Sequence, residues 1–285
     1  MELTPTDVAD RVKAAALELA VLAGHLVLYP SGLVAERHPR RPVAAGPATG
    51  DTGDAGDGGA GSAGGAVTGR PVVLLHGFAD NRSVFVLLRR VLARHGRDCV
   101  ESLDYSPLTG DLRTAAELLG RRVADIRDRT GHHEVDLVGH SLGGLIGRYY
   151  VQRLGGDARV RTLVMLGTPH SGTTFVPLAD AHPLVRQMRP GSEVLRELAG
   201  PAPGVRTRFV SFWSELDQVM VPVETARLDH PDLIVHNVRV SGIGHLALPV
   251  HPTVAAGVLD ALDADGPAPG AAGAAGAAPG ESSVA

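Results

Sequence analysis

The sequence predicts an α/β fold in which helices flank both faces of a mostly parallel central sheet. Short apolar runs alternate with longer stretches whose apolar residues recur every three or four positions, as strands alternating with amphipathic helices do. Apolar residues make up 44% of the 285 residues, which is enough for a substantial core. Aromatic residues make up only 4%, so Val, Leu and Ala must fill that core. The alternating region, 70–265, has the length of one domain.

The elements of this region follow in order. Each predicted strand is a short apolar run bounded by turn residues, typical of strands buried on both faces. Each predicted helix has apolar residues at helical spacing, as Val84, Leu88 and Val91 do in the first of them. Strands are predicted at 71–75, 98–103, 134–138, 160–166, 207–211 and 234–240. Helices are predicted at 81–95, 110–130, 142–154 and 252–262.

The first 41 residues contain one further apolar segment, for which Thr6 or Asp7 is a candidate cap of an extra N-terminal helix over 8–28. Glu18 interrupts the apolar run, which is shorter than the roughly 20 residues of a spanning helix. No small-residue cleavage site of a signal peptide follows it. We expect a helix that packs on the domain or touches a membrane surface, with an uncleaved anchor as the alternative. The expected location is cytoplasmic or peripherally membrane-associated.

Two segments are expected to lack regular structure. Residues 42–69 contain ten glycines and neither lysine nor arginine, which predicts a flexible linker. Residues 266–285 are rich in Gly, Ala and Pro, which predicts a disordered tail. The domain organisation is therefore an N-terminal helical segment (1–41), a linker (42–69), a catalytic domain (70–265) and a tail (266–285).

Composition argues against several classes of protein. The net charge is −4, and no concentrated basic face of the kind that binds nucleic acid is evident. Cys99 is the only cysteine, so neither an internal disulfide nor a cysteine-based zinc site can form. We expect no metal site.

The stretch GHSLGG at 139–144 is the most informative motif, because it lies between a predicted buried strand and a predicted helix. In that context G-x-S-x-G indicates a nucleophile elbow, a strained turn that exposes a reactive serine. Ser141 is therefore the candidate nucleophile. Its neighbours two positions away, Gly139 and Gly143, have no side chains, as the crowded turn requires.

A serine hydroxyl needs an oriented base, and in folds with this elbow the acid and then the histidine follow the serine along the chain. His245 is the candidate base, because a glycine-rich turn, 241–244, links it to the last strand. Asp217 is the candidate acid, since it follows the strand at 207–211 and an apolar segment adjoins it. Glu215 is the alternative acid.

A developing oxyanion needs two donors. One is the backbone N–H of Leu142, which follows the nucleophile, and the other is expected in the loop after the first strand. That loop reads LHGF at 75–78, so the Phe78 N–H is the candidate, and Gly77 lets the backbone approach closely. His76 is expected to brace this loop. Val219, Met220 and Leu246, together with the two donor residues, are the candidate lining of an apolar substrate pocket.

Taken in this order, the motifs at 76–78, 139–144, 167–172, 217–222 and 242–245 resemble bacterial lipases of the α/β-hydrolase superfamily, the small triacylglycerol lipases and esterases in particular. The resemblance covers about 71–262. It implies an α/β-hydrolase fold, hydrolysis of carboxylic esters with a small-molecule ester or lipid as substrate, and no cofactor. In that reading Ser141 is the nucleophile, Asp217 the acid and His245 the base.

The chain departs from the compact lipases in its N-terminal helix and linker, in the absence of a recognisable secretion signal, and in a longer segment at 171–205 that is expected to form a small cap. The sequence leaves other functions open. An acyltransferase, a thioesterase or an amidase would use the same triad, and a non-catalytic binding protein could keep the same fold.

Overall fold

The computed structural model describes residues 5–32, 69–78, 80–105, 110–175, 182–264 and 280–284. Seven parallel strands form one sheet in these ranges, in the order β2-β1-β3-β4-β5-β6-β7. The strands are β1 (Val72–Leu75), β2 (Val100–Leu103), β3 (Val135–His140), β4 (Val160–Leu166), β5 (Arg208–Ser214), β6 (Ile234–Val240) and β7 (Gly280–Val284). The helices are α1 (Pro5–Gly32), α2 (Val86–Arg94), α3 (Leu112–Thr130), α4 (Leu142–Arg153), α5 (Pro183–Gln187), α6 (Glu193–Ala199) and α7 (Pro252–Asp263).

The helices divide between the two faces of the sheet. Side chains of α3, α4, α5 and α6 pack on one face, where Val73 and Leu75 of β1 point. Side chains of α1, α2 and α7 pack on the other, where Val72 and Leu74 point. Successive residues of a strand point to opposite faces, so each short apolar run supplies both layers of the core. The predicted α/β fold with a parallel sheet and an extra N-terminal helix is confirmed.

Several boundaries differ from the sequence-based expectation. The predicted helix at 81–95 is divided, because the Asn81 side chain accepts from the Ser83 N–H and starts a short 3₁₀ turn, Arg82–Phe85, ahead of α2. Strand β5 continues three residues beyond the predicted end at Ser211. No helix in the described ranges combines the length and the hydropathy that crossing a bilayer requires.

The predicted disordered tail, 266–285, is wrong for its residues 280–284. They form β7, which pairs in parallel with β6 from His236 to Val240. Strand pairing uses backbone N–H and C=O groups and needs no apolar side chains, so a Gly- and Ser-containing segment can cover the edge that β6 would otherwise leave open. The rest of that tail lies outside the described residues, as do residues 42–68 of the predicted linker and 176–181 of the predicted cap.

Candidate active site

Ser141 occupies a strained turn between β3 and α4. Its φ of 53° and ψ of −119° give it the one positive φ among the non-glycine residues of the described ranges. Backbone bonds hold this conformation, since the Ser141 N–H donates to the Leu166 carbonyl at 2.9 Å and the Gly144 N–H donates to the Ser141 carbonyl at 3.1 Å. The Thr168 hydroxyl donates to the same carbonyl at 3.1 Å. Such over-determined strain is typical of functional sites.

The glycines around Ser141 make this turn possible. A Cβ atom at Gly139 would lie 2.5 Å from the backbone nitrogen of Gly144, and one at Gly143 would collide with the Leu75 carbonyl of β1. The close packing that the sequence indicated at these positions is therefore present. It presses the first turn of α4 against the carboxyl end of β1, so the serine emerges at the end of the sheet where ligands bind in parallel α/β folds.

His245 and Asp217 form a direct pair at the same end of the sheet. The His245 Nδ1 lies 2.8 Å from the Asp217 Oδ2, and both residues are buried, at 4% and 2% exposure. The second carboxylate oxygen of Asp217 accepts from the N–H groups of Val219 and Met220, at 2.9 and 3.0 Å. Because a carboxylate accepts from Nδ1, the neutral imidazole carries its proton there and leaves Nε2 as the basic nitrogen.

The pKa values of the pair follow from this geometry. Burial acts to raise the pKa of Asp217, but the imidazole and the two backbone N–H groups outweigh it and lower the pKa below its ordinary value. Burial acts to lower the pKa of His245, but Asp217, together with Asp80 and Glu18, outweighs it and raises the pKa. The arrangement therefore favours an ionised carboxylate beside an imidazole that binds a proton more readily than a free histidine.

His140 connects the serine turn to the histidine loop. It precedes Ser141, its Nε2 donates to the His245 carbonyl at 3.2 Å, and the two imidazole rings lie 4.7 Å apart. The Asp80 carboxylate lies 3.4 Å from the His140 Nδ1. Neither His140 nor Asp80 was singled out from the sequence, although the position of His140 inside the elbow motif was available as a signal.

The alternative acid, Glu215, lies elsewhere. Its carboxylate pairs with Arg239 at 2.5 Å, and its side chain is 51% exposed. The structure therefore brings Asp217, and not Glu215, to His245. Two residues separate them in sequence, but the turn after β5 directs Asp217 into the site and Glu215 to the surface.

The loop after β1 lies against the serine. A Cβ atom at Gly77 would lie 3.4 Å from the Ser141 Cβ, so the backbone next to Phe78 passes close to the candidate nucleophile. His76 stacks on Tyr105 at 4.2 Å and donates from Nδ1 to the Gly77 carbonyl at 2.9 Å, and the Tyr105 hydroxyl donates to the His76 carbonyl. These contacts hold the loop that contains Phe78 beside the N-terminus of α4, where Leu142 begins the helix.

The candidate pocket residues have different surroundings. Met220 is buried with Trp213 and Ala226, and Val219 packs beside them. The Leu246 N–H binds the Glu18 side chain of α1. The short helices α5 and α6 occupy much of the predicted cap segment, and the ring of Phe78 lies 5.0 Å from that of His182 at the start of α5.

Comparison with known proteins agrees with this architecture. Residues 70–197 match the family model described as the alpha/beta hydrolase fold. Lipase B of Aspergillus fumigatus superimposes with a TM-score of 0.63 at 18% identity, over 73% of this chain and 56% of that one. The mature lipase BlEst2 of Bacillus licheniformis gives 0.58 at 16% identity, over 68% and 92% of the two chains. The lin2722 gene product of Listeria innocua gives 0.55 at 16%, over 76% and 99%.

These similarities agree with the fold that the strands and helices define. The parallel sheet, the strained serine turn after β3 and the family match show that this chain has the α/β-hydrolase fold. At such identities the structural neighbours bear on the fold alone. The chain spans just over half the length of the Aspergillus lipase and most of the length of the two bacterial proteins.

Proposed function

We propose that this protein is a serine hydrolase that cleaves carboxylic esters, with lipid or acyl esters as the substrate class. The observation on which the proposal depends is the buried Asp217–His245 hydrogen bond, at the same end of the sheet as a serine in a strained strand-to-helix turn. The three residues follow one another along the chain in the order that this fold uses. Structural similarity to two lipases agrees with the substrate class.

The reaction proceeds in two halves. The Ser141 Oγ attacks the ester carbonyl carbon while its proton passes to the His245 Nε2, and the carbonyl electron pair moves to oxygen. The N–H groups of Phe78 and Leu142 bind that oxyanion. When the tetrahedral intermediate collapses, the bond to the alcohol oxygen breaks, and His245 returns the proton to that oxygen. Water then attacks the acyl-enzyme by the same steps, releasing the acid and restoring Ser141.

The decisive experiment is Ser141→Ala, assayed on p-nitrophenyl esters of increasing chain length. Removing the nucleophile of a triad lowers kcat by about 10⁶-fold, so the variant should fall to near background. Ser171→Ala, which removes an exposed serine from a neighbouring turn, is the matched control and should retain wild-type activity. A Ser141→Ala variant with substantial remaining activity would refute the assignment. The chain-length profile also defines the acyl preference.

Other uses of the same triad lead to different products. An acyltransferase would pass the acyl group to an added alcohol, and a thioesterase or an amidase would prefer a thioester or an amide. Assays of the ester with an added alcohol, and of a thioester and an amide in its place, separate these functions from ester hydrolysis by their products and rates. A non-catalytic protein would fail to react with a fluorophosphonate probe, whereas the proposal expects labelling at Ser141.

Peripheral membrane contact through α1 is part of the proposal. Val12, Leu19 and Val27 are 63%, 68% and 78% exposed, and they lie on the side of α1 away from the core. Clustered apolar side chains on a surface mark a site of interaction with a partner or a membrane. A lipid surface is the occupant that agrees with a lipid-ester substrate.

A further inference from the structure

The N-terminal helix packs close to the candidate base. On its inner face, Ala14 is buried, and Leu17 and Val21 pack against the core cluster formed by α2, α7 and one face of the sheet. These positions are three and four residues apart, so they lie on one face of α1. Glu18 belongs to the same face and is therefore directed at the domain and not at solvent.

The Glu18 carboxylate binds the backbone directly after His245. Its Oε2 accepts from the Leu246 N–H and its Oε1 from the Ala247 N–H, each at 2.9 Å. These N–H groups begin a turn that continues into a 3₁₀ segment, Leu248–Val250. The first N–H groups of such a turn have no partner within it, so a carboxylate that accepts from both satisfies them, as an N-cap side chain would.

Gly244 makes this approach possible. A Cβ atom there would lie 2.6 Å from the Cδ and 2.8 Å from the Oε1 of Glu18. Even an alanine at this position would therefore displace the carboxylate from the two N–H groups. The glycine before the candidate base is explained by the contact with α1, although 226 positions separate it from Glu18 in sequence.

Other contacts fix the rest of the loop. Asp217 binds the His245 ring, His140 donates to the His245 carbonyl, and the Ser214 hydroxyl donates to the Ile243 carbonyl at 2.5 Å. Together they hold the ring, its own carbonyl and the preceding turn. Glu18 holds the chain that leaves His245, so the imidazole is constrained from both directions.

We propose that Glu18 is a positioning residue for His245, and that α1 thereby contributes to the geometry of the active site. Glu18 acts through the backbone of Leu246 and Ala247 and does not touch the reacting atoms. The inference rests on the proposed serine-hydrolase function, because it assumes that His245 is the base.

The charges around His245 predict a change in the pH profile, which a purely structural role of Glu18 would not produce. Asp217, Asp80 and Glu18 act together to raise the pKa of the imidazole, and the His140 ring packs beside it. Removing the Glu18 charge should therefore lower the pKa of His245. Because the base must be neutral to accept the serine proton, the acid limb of the pH profile should move to lower pH.

The test compares Glu18→Gln with wild type in the full chain. The glutamine keeps the size of the side chain but offers one acceptor oxygen, so one of the two N–H groups faces an NH₂ donor. We expect kcat per active site to fall about tenfold on p-nitrophenyl butyrate, since small misplacement of a catalytic group is costly. KM should stay within about twofold. Glu117→Gln, which removes the same charge from an exposed position of α3, should match wild type in kcat and pH profile.

A second pair of variants separates position from charge. Gly244→Ala pushes the carboxylate away without removing it, so it should reproduce the loss in kcat. Adding Glu18→Gln to Gly244→Ala should cost little more, because both changes break the same contact, and a double-mutant cycle measures this coupling. Glu18→Asp keeps the charge but is too short to reach both N–H groups, so it should recover the pH profile better than kcat.

The outcomes distinguish the two proposals. Active sites are counted by fluorophosphonate labelling of Ser141, so misfolded protein does not affect kcat per site. Wild type that neither reacts with the probe nor hydrolyses esters would refute the proposed function itself. Active wild type, with a Glu18→Gln variant that keeps the wild-type kcat per labelled site and the wild-type acid limb, would overturn the role of Glu18 alone. A Glu18→Gln variant that gives fewer labelled sites, but keeps the wild-type kcat per site and acid limb, would likewise overturn the role of Glu18.

Discussion

The Asp217 carboxylate uses both of its oxygens. One binds the His245 ring, and the other binds the N–H groups of Val219 and Met220, so the carboxylate cannot rotate without losing several bonds at once. Its lowered pKa keeps it ionised at neutral pH. A fixed anion at this position decides which nitrogen of the imidazole holds the proton, and in the proposed reaction it would stabilise the imidazolium that forms.

Replacing this anion by an amide should therefore abolish most of the activity. Asp217→Asn can present its NH₂ group to Nδ1 and favour the wrong tautomer, and comparable changes in other triads lower kcat by about 10⁴-fold. Glu215→Gln is the matched control, because Glu215 lies two residues away and pairs with Arg239 at the surface. Steady-state kinetics on one p-nitrophenyl ester should give near wild-type values for Glu215→Gln. Equal losses in both variants would contradict the assignment of Asp217.

The pH profile reports on His245 directly. The proposed base must be neutral to accept the serine proton, so kcat/KM should fall as pH drops through its pKa. The carboxylates around His245 raise that pKa above its ordinary value of 6.5, so the acid limb should lie above 6.5 in the free enzyme. Measuring kcat/KM from about pH 5 to about pH 9 on a substrate without ionisable groups checks this. An acid limb below the ordinary value would show that burial outweighs the carboxylates.

At the scale of elements, the strand ends explain how much of the site the sequence could predict. Ser141, Asp217 and His245 each follow a strand that can be recognised in the sequence by its apolar run. The order serine, acid, histidine along the chain then selects among the other acids and histidines. The contact between Asp217 and His245 follows from that logic. The elbow could also be predicted from the sequence. Its glycines are required by close contacts with residues nearby in sequence or on the adjacent strand.

The contacts that sequence could not predict are those that depend on the docking of distant segments. Glu18 looked like an interruption of an apolar helix, although it binds the histidine loop. Residues 280–284 have the composition of a tail, although they pair with β6 through their backbone. In both cases the contact is made to backbone N–H or C=O groups. Nearly every residue has these groups, so such contacts leave no pattern in the sequence.

Helix α1 has two apolar faces with different predicted roles. Its inner face packs on the core, whereas Leu19 and Val27 on the outer face are exposed. The double variant Leu19→Glu with Val27→Glu should lower partitioning onto phospholipid vesicles by at least about tenfold, since burying one such side chain contributes about 1.5–3 kcal/mol. Vesicle co-sedimentation measures this, and hydrolysis of a soluble ester should be unchanged because the inner face is untouched.

The matched control for that experiment is Leu87→Glu. Leu87 is an exposed leucine on α2, at 46% exposure, outside the proposed contact surface. It should bind vesicles as wild type does. If wild type itself does not sediment with vesicles, or if Leu87→Glu weakens binding as much as the α1 variant, the membrane role of α1 is wrong.

At the scale of the whole molecule, the end of the sheet opposite the candidate active site contains a buried charge. Asp136 of β3 is fully buried, and its Oδ2 pairs with Arg70 at 3.3 Å and with Arg97 at 3.5 Å. Among the residues that the structure describes, none forms a hydrogen bond with its Oδ1. Arg97 also binds Asp263 and the Leu262 carbonyl of α7, so this cluster joins the centre of the sheet to the last helix.

The buried carboxylate should make the stability of the fold depend on pH. Burial raises the pKa of Asp136 to about 6, although the arginines oppose this. A carboxyl group whose pKa is raised by folding stabilises the fold fully below its unfolded value of 3.8, and this contribution is lost as pH rises through the folded value. Asp136→Asn removes that dependence, while Arg70 and Arg97 keep Glu134 and Asp263 as partners.

Denaturant unfolding of wild type and Asp136→Asn at two pH values tests this linkage. The variant should gain stability relative to wild type by about 1 kcal/mol more at pH 7.5 than at pH 5, as the two pKa values require. Asp125→Asn, an exposed change on α3, is the matched control and should differ from wild type by no more than about 0.5 kcal/mol at either pH. A relative stability of Asp136→Asn that does not change with pH would mean that the arginines hold Asp136 ionised throughout. The cluster would then stabilise the fold as an ion pair, because its attraction would exceed the cost of burying the charge.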